Sequence, residues 1–579
     1  MSTLSTVDKV REVKDWWERQ RLDGRPIQRL HTPEQVAALR LTTRPSYAVQ
    51  NSLARKLYRI LREHQRLGTS VNTLGPFDEA SLDAMARAGI QAVYIGGWAE
   101  SARAGTSDQA RYTYTYVAET VSRFSRFLQQ KARHNPQLED QLLIPLFVDI
   151  DTGHFAPKEL VEYMLTHGAD HPLVGAVHIE DQAHGCKKCG HMSGKVLVST
   201  DEQIKRMNEV RLQLDVMELD TLLVARTDAE AAEFVTSNLD ERDHPFILGA
   251  TNFNLGPYHK AIQEARRGGA TESEVEKTHR QWKKEAGLMT LGAAVAEKMG
   301  ELAAPGQTVG MSVEHWRQFA RNGSNDEVKA RAGKLGFPVF SFQEWKALAD
   351  VHFQFPPTSV YWDWDLAKTE ELGYTLYMIE SGIGMAIARS KAFLPFADIS
   401  WMEQHRPSLE QVREWADALK EHAGKLGMPQ PLLANNTSPS FYWRAENGGR
   451  SLSDGELRSF LREQAKAGIQ FQFITYGGSQ LDHYGLQKFL EGPEGFLEQG
   501  MLAWANFQDE ALAGGNAFVR NSQGWAGVNW NATRDAAGRG ASVASPTGER
   551  DTMKQFQTAK DASSEEEPPY DTWQHTALR

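Results

Sequence analysis

Eight short apolar, β-branched segments, nearly all running into a polar or glycine cluster, constrain this 579-residue chain more than any other feature. They are Val71–Leu74, Ala92–Ile95 before Gly96-Gly97-Trp98, Leu142–Val148 before Asp149 and Asp151, and Ala176–Ile179 before Glu180-Asp181. The other four are Leu222–Ala225 before Arg226 and Asp228, Asp398–Met402 before Glu403, Leu432–Ala434 before Asn435-Asn436, and Gln470–Ile474 before Thr475. Between most of them lie amphipathic stretches such as Pro157–His167, Asp201–Leu214 and Leu409–Leu426. Buried runs alternating with helices imply βα units and a parallel sheet. Eight of them predict an α/β fold, a (β/α)8 TIM-type barrel. In that fold the active site lies at the C-terminal strand ends, which is where the polar residues fall. One polar strand end taken singly is as readily a helix cap or loop group; such residues after six or seven of eight strands point to a site.

The rhythm also sets the domain plan. Residues 1–70 read as an N-terminal helical layer, with Val10, Val13 and Trp16-Trp17 at helical spacing. The barrel's first part spans 71–240. About 170 residues separate the Leu222 and Asp398 segments, and 241–373 read as an inserted helical subdomain. The barrel's second part, 374–485, resumes near Tyr374–Ala392, and 486–533 are C-terminal helices. Residues 534–579 form a lid or tail, rich in Gly, Ala and Ser, with an acidic run at Ser563–Pro569.

Composition narrows the function classes. A net charge of −11 argues against a phosphate-backbone binder. No stretch of about 18 apolar residues predicts a membrane span. The start, MSTLSTVDKV, lacks a signal peptide's apolar run, and the terminal Ala577-Leu578-Arg579 is read as a plain tail. Both of the chain's two cysteines, Cys186 and Cys189, are three residues apart, a poor disulfide framework that predicts a reducing compartment, the cytoplasm. Glyoxysomes or peroxisomes enter only for a eukaryotic source.

Three constellations carry chemistry. The first is acidic. Asp149 and Asp151 are expected to point the same way in an extended segment; Glu180 and Asp181 end the next strand, and Asp108 follows the second. Carboxylates converging on one mouth repel unless a cation is present, and hard oxygen ligands select Mg²⁺ or Mn²⁺; unrelated caps and ion pairs are the alternative. The second joins Arg226, suited to a substrate carboxylate, with Asn436, Ser438, Ser440 and Thr475, and fits a small polycarboxylate. The third is His184–Lys195, HGCKKCGHMSGK, a polar glycine-rich loop that sets a thiol among Lys187, Lys188, His184 and His191 and so predicts a lowered thiol pKa. By its residues alone it is a redox pair, half a zinc site with His184 and His191, or a catalytic acid or base.

At Lys187–His191 (KKCGH) followed by Met192, the chain resembles the isocitrate lyase family. The likeness continues through Ala176–Gln182 (AVHIEDQ), Gly194–Val198 (GKVLV), Leu223–Ala229 (LVARTDA), Trp401-Met402-Glu403, Ser438–Phe441 (SPSF) with Trp443, and Phe471–Thr475 (FQFIT). It runs from about residue 10 to 510, with a weak echo of the family's lid at Thr547–Phe556. The resemblance implies a Mg²⁺-dependent barrel lyase that cleaves isocitrate to glyoxylate and succinate, the entry step of the glyoxylate shunt, and a homotetramer with exchanged C-terminal helices. It also implies residue roles. Cys189 is the general acid–base, with His191 beside it, and Gly190 between them is a substrate-binding residue. Asp149 is the principal metal ligand, with Asp108, Asp151 and Glu180 around the metal and its waters. Gly96, Gly97, Trp98 and Arg226 hold the glyoxylate part; Asn436, Ser438, Ser440 and Thr475 hold the succinate part, with Glu403 nearby.

Retro-aldol cleavage needs the C2 hydroxyl to ionise and the departing succinate carbanion to take a proton, so a divalent cation and a positioned acid suit it. The chain departs from the family pattern in places. Gly96 stands where serine is usual, so only backbone amide contacts serve there. Asp151 replaces a glutamate, and Asn435 stands where tyrosine is common. The nearest alternative activity is cleavage of 2-methylisocitrate; a remote one is a non-catalytic metal-binding scaffold barrel.

Overall fold

The computed structural model describes residues 6–41, 45–167, 171–302, 310–351, 354–445, 451–540 and 555–556. Eight parallel strands form its central sheet. They are β1 (Val71–Leu74), β2 (Val93–Ile95), β3 (Leu146–Asp149), β4 (Val174–Glu180), β5 (Leu222–Thr227), β6 (Ile399–Met402), β7 (Leu432–Asn436) and β8 (Phe471–Ile474). Their hydrogen-bonded order is β1-β8-β7-β6-β5-β4-β3-β2, with pairs such as Val71 to Phe471 and Glu180 to Arg226 in register. The two ends of that order meet, since a Cβ on Gly75, just past β1, would stand 3.4 Å from the Tyr94 carbonyl of β2. The result is a nearly closed TIM-type barrel.

Burial explains why these runs are strands. Every residue of β3, β4 and β5 is buried, as helices on one face and a filled interior on the other demand. Tyr94, Phe147, Trp401, Phe471 and Phe473 belong to the central core, with Leu57 and Leu61 of a helix at Ala48–Leu67. Phe147 stacks on Phe471 at 4.4 Å and Tyr94 on Phe473 at 4.3 Å. That helix buries Leu53, Ala54, Leu57 and Leu61, a 3.6-residue stripe, and stops at Gly68, whose φ of 65° suits glycine.

Three sequence expectations need correction. Glu139–Leu142 is a helical turn, so the third strand starts only at Leu146. Tyr374–Met378 does not resume the barrel: it pairs antiparallel with Ala232–Val235 in a second, four-stranded sheet that also holds Lys195–Leu197 and Thr369–Glu371. Short apolar runs carry no signal of which sheet they join; the barrel element that follows is the helix Ile383–Phe393. Asp151 is not extended. It has a φ of +48°, and the pair comes together because the Asp151 amide donates to Asp149 Oδ1 at 2.8 Å, a turn closed by a side chain.

Two compact units divide the chain. The first comprises Met1–Gly75, Ile90–Arg123 and Pro145–Tyr476, and so holds the eight strands and the 241–373 segment. That segment contains six α-helices among its described residues, packed around Trp316, Trp362 and Phe337 in one cluster and Trp282 and Tyr361 in another. The second unit comprises Pro76–Gly89, Phe124–Ile144 and Gly477–Arg579. Its helices Gly477–Leu490 and Met501–Ala513 leave Leu481, Tyr484, Leu502 and Trp504 exposed. The acidic run Ser563–Pro569 and nearly all of Thr547–Phe556 lie outside the described residues. Among the described residues, no helix is long and apolar enough to cross a membrane.

Candidate active site

The C-terminal ends of the strands enclose a cavity of about 30 Å³. It is lined by Gly96, Gly97, Trp98, Asp108, Asp149, Cys189, Gly190, His191, Arg226, Glu403, Asn436, Ser438, Ser440 and Thr475. Those are all the candidate residues except Asp151 and Glu180, which stand fully buried behind the wall. Tyr94, Lys187 and Tyr476 complete the lining.

Asp149 ends β3 with both oxygens engaged. Oδ2 accepts from the Gly97 amide at 2.8 Å and Tyr94 Oη at 3.2 Å; Oδ1 accepts from the Asp151 amide and faces His178 at 3.2 Å. Burial opposes its charge, but His178 and Lys187 hold its pKa below the usual carboxylate value. A Cβ on Gly97 would stand 2.7 Å from Asp151 Oδ1, so these carboxylates themselves require glycine there. One on Gly96 would stand 2.6 Å from Tyr94 Cε1, which leaves no room for the family's serine as Tyr94 is placed. Arg226, at the end of β5, is not free to greet a substrate. It forks onto Asp228 at 3.1 and 3.2 Å, faces Glu180 at 3.0 Å and lies 4.5 Å over the Trp401 ring. Burial raises the Glu180 pKa well above normal despite Arg226.

The loop holds the main surprise. Lys187 Nζ lies 2.5 Å from Asp108 and 2.7 Å from Asp151, with its side chain 3% exposed. Its charge is thereby spent on carboxylates. Lys188 points away, with Nζ beside Gly194. Cys189 consequently does not have the lowered pKa that the sequence predicts: burial first, and then Asp108, push it up to about 12. Burial likewise lowers the His191 pKa, opposed by Glu403 at 3.4 Å. Several bonds pin the loop. The Gln182 side chain receives the Lys188 amide and donates to its carbonyl, while Lys195 Nζ donates to Gly190 O at 2.8 Å. Gly190 passes so close to Glu403 that a Cβ would stand 2.5 Å from Oε1.

The other meanings of the loop find no support in geometry. Both cysteines are free thiols, and Cys186 packs in an apolar cluster with Ala183, Val196 and Leu376. His184 bonds to Thr152 at 2.6 Å, far from a zinc-ligand role with His191, which faces Glu403. On the opposite wall Asn436 Nδ2 donates to Glu403 Oε1 at 3.0 Å, Ser440 Oγ lies 2.6 Å from Tyr476 Oη, and Trp98 stacks on Tyr476 at 4.0 Å. Sequence reasoning passed over Tyr94, His178 and Tyr476, and named Asp228 as a polar strand end without giving it a role. Tyr94 and His178 lie inside apolar strands, and Tyr476 one residue past a strand end; for Asp228, the only signal was its place two residues after Arg226.

Among the described residues, no three His, Cys, Asp or Glu side chains are gathered to hold a metal ion. The acidic groups are drawn toward Lys187 and Arg226 instead. In kind, Asp149, Asp151, Asp108 and Glu180 fit a hard dication, since all offer carboxylate oxygen, and Glu403 Oε2 and Asn436 Oδ1 are buried acceptors with no hydrogen-bond partner.

Comparison with known proteins identifies the family. Residues 9–556 match the model of the isocitrate lyase family. Isocitrate lyase 2 of Mycobacterium tuberculosis is 35% identical over 83% of this chain and 67% of its own length. Isocitrate lyase of Pinus taeda is 33% identical over 90% of this chain and 87% of its own. A mitochondrial 2-methylisocitrate lyase of Hypocrea atroviridis is 30% identical over 95% and 94%. The eight-stranded barrel, the thiol loop over its mouth and a family match along nearly the whole sequence lead to one conclusion: the chain belongs to the isocitrate lyase family of carbon–carbon lyases.

Proposed function

We propose that the chain cleaves isocitrate to glyoxylate and succinate in a Mg²⁺-dependent retro-aldol reaction, with Cys189 as general acid in the cleavage direction. One observation carries this: the Cys189 thiol, whose pKa burial and Asp108 push up to about 12, shares a cavity with Asp149, Asp108, Arg226 and the hydrogen-bonding wall Asn436, Ser438 and Thr475. When bound by Asp149 with Asp108, Asp151 and Glu180 around it, Mg²⁺ (or Mn²⁺) supplies the positive charge that favours ionisation of the C2 hydroxyl. Gly96, Gly97 and Trp98 line the glyoxylate half, and Arg226 reaches its carboxylate by giving up part of the fork on Asp228 and the pair with Glu180. Asn436, Ser438, Ser440 and Thr475 donate to the succinate half, whose charge grows as the C2–C3 electron pair passes to C3. The Cys189 thiol then gives its proton to that carbon, and His191, two residues on in the same loop, faces Glu403. A positioned proton donor is worth roughly 10²–10⁴ in rate. Gly190, against Glu403, lets the loop seal the reaction from water.

The exposed apolar side chains of the second unit, among them Leu497 at 74% and Met501 at 69%, support a homotetramer that exchanges C-terminal helices, since monomers rarely leave such patches bare.

The Hypocrea relative makes 2-methylisocitrate the second substrate to test. One methyl group in a fitted pocket discriminates by ~10–200-fold. Isocitrate is expected to have the higher kcat/KM when glyoxylate and pyruvate release are followed with Mg²⁺ present. Preference for 2-methylisocitrate would overturn the assignment.

A further inference from the structure

We infer that Glu233, gripped by Lys283 of the 241–373 segment, is a positioning residue for the thiol loop: it holds the Gly194 end of the loop and so sets where Cys189 stands at the barrel mouth. The inference rests on the acid role read for Cys189 above and gives the 241–373 segment a part in the reaction.

The far end of the loop is Gly194, whose φ of +73° suits glycine and where a Cβ would stand 2.6 Å from Lys188 Nζ. The next residues, Lys195–Leu197, pair in parallel with Ala232–Val235. Lys195 lies opposite Ala232 but Val196 opposite Phe234, so Glu233 is an extra residue in that pairing. Such a bulge re-aims a side chain. Here the Glu233 carboxylate turns back on the loop, and Oε1 accepts from the Gly194 amide at 2.7 Å. Its other oxygen accepts from Lys283 Nζ at 3.3 Å, and its backbone carbonyl accepts from the Ile379 amide at 3.1 Å. Burial opposes the charge of Glu233, yet Lys283 and the Gly194 amide hold its pKa below the ordinary carboxylate value.

Lys283 is itself placed by packing. It lies on the helix Glu272–Ala286, whose Val275, Trp282 and Ala286 are buried in the cluster that holds Tyr361, and Trp282 Nε1 donates to Gly256 O at 2.9 Å. Phe234, beside Glu233, packs against that cluster and also against the one that encloses Cys186. The near half of the loop therefore leans on Phe234 and Leu376, and its far end hangs from Glu233. Cys189 lies between, three residues after Cys186 and five before Gly194. A hydrogen bond from an amide to a carboxylate is among the stronger kinds. Its loss frees the far end of the loop, and with it the thiol whose distance from the reacting carbon governs proton transfer.

Two readouts on the full-length protein test this. In steady-state glyoxylate release with Mg²⁺, Glu233→Ala is expected to lower kcat roughly tenfold, with KM for isocitrate within about twofold of wild type because the substrate-holding wall is untouched. Lys283→Met should lower kcat about threefold. Lys283→Arg should restore it, and Lys284→Met, on the exposed neighbour, should match wild type. The double variant Glu233→Ala/Lys283→Met should be no slower than Glu233→Ala, since Lys283 acts through Glu233; losses that multiply overturn the inference. So does a wild-type kcat in Glu233→Ala. The second readout needs no turnover: alkylation of Cys189 by iodoacetamide, followed by peptide mass spectrometry. Glu233→Ala should speed it at least about fivefold; an unchanged rate contradicts the positioning role. If wild type releases no glyoxylate while Glu233→Ala still speeds the alkylation, the lyase reading fails and the tether stands.

Discussion

The two ends of the barrel carry buried charge in opposite balance. At the base, before β5 and β6, Asp398 accepts from Arg25 at 2.7 Å, Arg211 at 2.6 Å and the Leu223 amide at 2.9 Å. Asp215 is held by Arg29 and His31, and Asp220 by Arg55. Three carboxylates there meet four arginines, and the polar atoms left over are guanidinium N–H groups of Arg25 and Arg211. At the mouth, among the described residues, Asp108, Asp149, Asp151, Glu180, Asp228 and Glu403 meet Lys187, Lys195 and Arg226 as permanent cations, and the unpartnered atoms include the acceptors Glu403 Oε2 and Asn436 Oδ1. Both ends are desolvated. The base uses its surplus to tie the N-terminal layer to the strands; the mouth keeps an excess of acceptors, which is what a site for a dication and hydroxyl-bearing substrate needs. This is the division between stability and function expected of such barrels.

Substitutions at the two ends should therefore fail differently. The largest effect is expected from Cys189→Ser: a loss of roughly 10²–10⁴ or more in kcat with an unchanged melting temperature. At the base, Asp398→Asn takes the carboxylate from the buried Arg211 guanidinium and leaves Arg25 with Asp220 alone, and should destabilise by roughly 3–5 kcal/mol, seen as a lower denaturant midpoint, while kcat per folded molecule stays near wild type. A large kcat loss in that variant would break the division. The base should also be sensitive to acid. Although burial opposes its charge, Arg25 and Arg211 hold the Asp398 pKa well below normal in the folded state. Its contribution is thus complete above the unfolded value of ~3.9 and is lost as pH falls toward the folded one; Asp398→Asn should flatten the acid side of the stability curve.

Smaller effects sharpen the picture of the loop. Gly190→Ala should lower kcat by roughly tenfold, because Glu403 must give way before the loop closes. Cys186→Ser, in an apolar cluster away from the cavity, should keep most activity. A dead Cys186 variant would revive the view that the two thiols act as a pair.

The barrel was legible because fully buried strands and amphipathic helices leave a periodic trace. All eight runs became strands, and the polar ends of seven converge on one mouth or stand just behind it. What stayed hidden were properties of the third dimension. Counting lysines around Cys189 predicts a lowered pKa, but a nearby lysine lowers a thiol pKa only if its charge is not already claimed, and Asp108 lies 79 residues away in sequence. Tyr94 and His178 read as strand residues because strands place alternate side chains on opposite faces, and the sequence does not say which face ends at the site. The second sheet, through Tyr374–Met378, pairs segments about 140 residues apart, beyond any local pattern.

The account stands or falls on what Cys189 does at the barrel mouth. The direct measurement is Mg²⁺-dependent glyoxylate release from isocitrate by purified wild-type protein and by Cys189→Ser, with isocitrate binding to both followed by calorimetry. The expected result is turnover in wild type that disappears on chelation, and a variant that binds isocitrate yet releases glyoxylate at least about a hundredfold more slowly. A Cys189→Ser variant that turns over at the wild-type rate would contradict the general-acid role.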